Sequence, residues 1–109
     1  MINQLIEDYV IQILKSKVLF SEYLQKLQEV EEVSGELDYT QLRDLAHKNL
    51  GVARNLRIKD AIKILDELMK KDDLKYLALC IEALESCAIR LKPKCAYKTL
   101  KLINIKSSL

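Results

Sequence analysis

His47 is the only histidine in the 109 residues, and the residue types around it define a chemistry. An unperturbed imidazole keeps a neutral, nucleophilic nitrogen at physiological pH. Arg43 stands one helical turn before it, Gly51 one turn after and Arg54 two turns after, with Lys48 adjacent. At about 100° per residue, Leu42, Leu45, Ala46, Leu50 and Ala53 form one apolar stripe, and His47 points more than a right angle away from it. The pattern therefore predicts an outward nucleophile between two arginines suited to phosphate, beside a glycine gap where a partner could come close. The plainer alternatives are an inert surface histidine, Arg43 paired with an acid on a neighbouring helix, and Arg54 capping a helix end. Asn49 falls on the core stripe, so its amide must bond a neighbouring helix or mark a bundle rearranged around this face.

The elements that must hold these residues read as helices throughout. Ile2 to Lys15 places Leu5, Ile6, Tyr9, Val10 and Ile13 on one face, predicting a first helix. Val18 to Val33 repeats the period with Phe20, Tyr23, Leu24, Leu27 and Val30, predicting a second. Glu29, Glu31 and Glu32 crowd its end, where the helix dipole disfavours acids. Ser34-Gly35 is a natural stop, and Asp38 followed by Gln41 predicts a capping box for the His47 helix. No glycine or proline separates Ala53 from Lys59; Asn55 is the one good capping residue there, and a continuous bent helix is the alternative. Ala61, Ile62, Leu65, Leu68 and Met69 give the next stripe. Asp72-Asp73 then offers an N-cap for a helix carrying Leu74, Leu77, Ala78, Ile81, Leu84, Ala88 and Leu91. Pro93 interrupts the pattern, and residues 94–105 predict a short last helix packing Ala96, Leu100 and Ile103.

The stretch from Gly35 to Leu91 resembles a histidine-containing phosphotransfer domain, through Ala46-His47, Gly51, Ala53-Arg54-Asn55-Leu56 and the helical hairpin that follows. The resemblance implies an antiparallel four-helix bundle, with a core at about 18–91 and further helices at both termini. It also implies a relay in which His47 takes a phosphoryl group from an aspartyl phosphate on a receiver domain, which brings the magnesium. Members of that family usually carry leucine two residues after the histidine and lysine three after; this chain has Asn49 and Leu50. Stabilising the transferred charge would then fall to Arg43, Lys48 and Arg54, with Gly51 admitting the partner. Arg57 stands where a glycine often follows the leucine.

Composition agrees with one all-α domain. Half of the residues are hydrophobic, with two glycines, one proline and no tryptophan, too little turn chemistry for a sheet protein. Cys80, Cys87 and Cys95 lack metal-binding spacing and a histidine companion, so they read as apolar fillers in a reducing cytosol; no metal or cofactor is called for. No apolar run is long enough for a membrane span, and the acidic N-terminal region lacks a signal peptide's basic start, so a cytoplasmic location is expected. Residues 1–37 hold three lysines against seven acids, whereas no acid follows Glu85 and Arg90, Lys92, Lys94, Lys98, Lys101 and Lys106 do. The alternative to phosphotransfer is accordingly a non-catalytic interaction bundle, an adaptor or small subunit, which a basic tail could associate with nucleic acid.

Overall fold

The computed structural model describes residues 2–108, with side chains through 106. Five helices follow one another: α1 (Ile2–Val33), α2 (Thr40–Leu56), α3 (Lys59–Lys70), α4 (Leu74–Leu91) and α5 (Pro93–Ser108). Each of α1 to α4 packs on the next and α4 returns to α1, so these four form a closed antiparallel ring. Helix α5 lies outside it, against α1 and α4. The expected four-helix core with an added C-terminal helix is thus present.

The N-terminal helix at 2–15 is not a separate element. The sequence breaks its apolar stripe at Lys15-Ser16-Lys17, yet α1 runs unbroken for 32 residues, about 48 Å at 1.5 Å per residue. Two of these polar residues, Ser16 and Lys17, find partners inside the fold. Ser16 is buried, and its Oγ donates to Asn49 Oδ1 at 3.2 Å. Lys17 Nζ bridges Glu85 and Glu82 of α4 at 3.0 and 3.3 Å. The helical period is therefore kept by polar contacts where apolar ones lapse. Gly35, at φ +73°, ends the helix as expected, and its N–H donates to Val30 O.

Helix α2 begins differently from the expected capping box. Asp38 accepts from the N–H and hydroxyl of Thr40, with no bond from Gln41 to return the cap. Those bonds hold the Asp38 carboxyl below its ordinary range, the side-chain one most. The α2–α3 boundary is a true break. The N–H groups of Arg57 and Ile58 donate to Arg54 O and Ala53 O, a Schellman closure with Arg57 left-handed at φ 57°. Asn55 plays no capping part in this turn. Asp73 caps α4 as expected, accepting from the N–H groups of Lys75 and Tyr76. Pro93 occupies the first turn of α5, where its missing N–H costs nothing.

Leu14, Phe20, Leu42, Leu50, Leu65, Leu68, Leu77, Ile81 and Leu84 fill the ring at 2 % exposure or less. Leu5 and Val30, expected in the core, are exposed at 53 % and 39 %. Cys80 and Cys87 are buried and Cys95 half-buried, all as free thiols. Burial raises the Cys80 and Cys87 thiols further above neutrality. Tyr9 is 1 % exposed and its hydroxyl has no hydrogen-bond partner.

Two substitutions test this packing. Arg57→Gly removes the left-handed strain and should raise stability by about 1 kcal/mol, read as a higher denaturation midpoint at unchanged slope. Asn49→Ala should lower stability by about 1 to 3 kcal/mol, with less than the summed loss when combined with Ser16→Ala, since the two share one bond.

Candidate functional site

Helix α2 carries every residue of the expected site, and its orientation follows from the core. Asn49 is 2 % exposed; its Oδ1 accepts from Ser16 and its Nδ2 donates to Leu45 O at 2.9 Å. His47, two residues earlier, lies about 200° away around the helix and is exposed. Its imidazole forms no hydrogen bond or ion pair among the described residues. The side chain is open to a partner, and no internal group fixes its ring or tautomer.

The three expected phosphate ligands have different surroundings. Helical side chains lean toward the N-terminus of their own helix, so Arg43 leans away from His47. The Arg43 guanidinium reaches Asp72 in the α3–α4 connection and lies over the Tyr39 ring, 4.9 Å from its centroid. Tyr39 donates in turn to Asp72 O at 2.7 Å. Arg43 therefore joins the start of α2 to the α3–α4 turn, as the plainer reading anticipated for a paired arginine. Arg54 leans toward His47, but its guanidinium stands 3.8 Å from Asp66 of α3. With 61 % of the Arg54 side chain exposed, that contact is weak and readily exchanged. Lys48 is exposed and free of ion pairs among the described residues.

Gly51 completes the face. A Cβ built there meets nothing within 4 Å, so packing inside the chain does not require glycine at this position. Glycine in a helix interior costs about 1 kcal/mol against alanine, and no contact within the molecule offsets that cost. Leu50, where the phosphotransfer pattern has lysine, is 2 % exposed and part of the core. The position cannot present a cation to the His47 face without emptying the bundle.

Protein-family models, curated proteins and solved structures yield no match to this chain.

Among the described residues, no three His, Cys, Asp or Glu side chains gather to hold a metal ion, and no helix is long and apolar enough to cross a membrane. The Asp72 contact of Arg43 was invisible in sequence, since Asp72 lies 29 residues away. For Tyr39 the signal available was the pairing of an aromatic four residues before an arginine, a spacing that stacks them on one helix face.

Gly51→Ala tests whether the glycine serves the isolated chain. The open space predicts a gain of about 1 kcal/mol, measured as a raised thermal midpoint of roughly 4 to 8 °C.

Proposed function

We propose that the outer face of α2, from His47 to Arg54, docks a partner protein and that the reaction there is phosphoryl relay through His47. The observation that carries the docking surface is Gly51, exposed in mid-helix with no neighbour that needs it small. Beside it stands an imidazole with no competing internal partner. The likeness to histidine-containing phosphotransfer domains, drawn from Ala46-His47 and Gly51, supports the chemistry.

In the relay, an unprotonated nitrogen of neutral His47 attacks the phosphorus of an aspartyl phosphate on the partner. The new N–P bond forms as the P–O bond to the carboxylate breaks, and the carboxylate leaves with the electron pair. The other ring nitrogen keeps its proton. Charge spreads over the three equatorial oxygens, where Lys48 and Arg54 can meet it. Arg54 does so by exchanging Asp66 for the phosphoryl group, whereas Arg43 keeps its structural tie to Asp72.

A second reading is a bundle that docks its partner without transfer. It is favoured by the buried Leu50 and by the capture of Arg43, which together leave the His47 face poorer in cations than the phosphotransfer pattern.

One experiment separates them. The purified chain is mixed with a panel of phosphorylated receiver domains, and mass gain is scored by intact mass alongside His47→Gln and Gly51→Gln. Relay predicts a gain that disappears in His47→Gln and is strongly slowed in Gly51→Gln. Binding that Gly51→Gln blocks, with no mass gain, establishes docking alone. Neither binding nor transfer across the panel rejects the reading.

A further inference from the structure

Helix α5 leaves a groove of about 710 Å³ along its seam with α1. On the α5 side, Cys95, Lys98, Thr99 and Leu102 line it at three- and four-residue steps; on the α1 side, Glu7 and Ile11 line it one turn apart. The groove therefore runs parallel to two adjacent helices, for about 10 Å of α5. Its floor is apolar or already satisfied. Thr99 is buried and donates its hydroxyl to Cys95 O within its own helix, while the half-buried Cys95 turns its thiol toward Glu7 O. Leu102 is 56 % exposed along one edge.

The rim is basic and unneutralised. Lys92, Lys94 and Lys98 border the groove. Lys92 donates only to the neutral Asn3 side chain, and Lys94 and Lys98 have no acidic partner among the described residues. Glu7 is the single acid in the lining. Elsewhere in the fold Lys17, Arg43, Arg54, Lys71 and Arg90 each meet a carboxylate, and what sets α5 apart is that it carries Lys94, Lys98, Lys101 and Lys106 with no acid of its own.

We propose that this groove binds an acidic amphipathic helix of a partner protein. Its apolar residues, at three- and four-residue spacing, lie on Ile11, Thr99 and Leu102; its Asp and Glu side chains face Lys92, Lys94 and Lys98. The shape and the charge both select this occupant. A ridge of side chains fits a groove between two helices, and carboxylates complement the free ammonium groups. Nucleic acid would satisfy the lysines and leave the apolar floor unused. A membrane would take a protruding apolar face, but here the apolar floor is recessed between charges.

The site is distinct from the His47 face and stands independently of it. The test screens the full chain against two displayed libraries of helical peptides with the same apolar stripe, one with Asp and Glu on the polar face and one with Lys and Arg. The acidic library should yield binders that the basic one lacks. The double variant Lys94→Glu, Lys98→Glu should weaken the best binder about tenfold or more, as should Leu102→Glu, both with unchanged circular dichroism. Bound peptide should slow thiol labelling of Cys95, and added salt should weaken binding. Equal yield from both libraries, binding indifferent to these variants, or unslowed Cys95 labelling overturns the proposal. So does a stronger, Lys98-dependent preference for vesicles of anionic phospholipid or for duplex DNA.

Discussion

The buried hydrogen bond from Ser16 to Asn49 sets the register between the longest helix and the helix that carries the candidate site. Two polar side chains removed from water must meet each other, because an unmet amide in a core costs about 1 to 3 kcal/mol. Apolar stripes tolerate sliding by a turn; this pair does not. With Asn49 fixed inward against α1, the geometry of α2 leaves His47 outward, Gly51 uncovered and Leu50 in the core. The direction faced by each candidate residue is set by that contact together with the buried apolar stripe of α2.

Charge is organised around the same frame. Lys17 bridges two glutamates of α4 across the ring, Arg43 ties α2 to the α3–α4 turn, and Arg54 and Arg90 meet aspartates of α3. Each exposed pair is worth little by itself. Their distribution is more informative than their strength, since each helix of the ring carries acids as well as bases whereas α5 carries lysines and no acid. An almost neutral molecule, +2 overall, thereby carries a basic flank beside a balanced body.

Much of the fold was legible because it rests on local periodicity. The stripes of α3 and α4, the Asp73 cap, the Gly35 stop and the outward direction of His47 all follow from spacing within one helix. What failed depends on partners distant in sequence. Ser16 and Lys17 read as a break between two helices because their partners, Asn49, Glu82 and Glu85, lie 33 to 68 residues away. Arg43 read equally well as a phosphate ligand or as an ion-pair partner, and only the position of the α3–α4 turn decides its contacts. The α2–α3 boundary was weakly marked, because an arginine occupies the left-handed position that glycine usually holds.

Helix α1 also governs how the chain closes. Every other packed pair of helices joins neighbours in sequence; α1 alone reaches across, to α4 and to α5. The Lys17–Glu82 contact spans 65 residues, and closing a loop of that length costs roughly 4 kcal/mol by the chain-length dependence alone. The run from α2 to α4 is joined by short turns, whereas α1 meets α4 and α5 only across long stretches of chain. The topology thus places the largest loop-closure cost on the contacts of one rod.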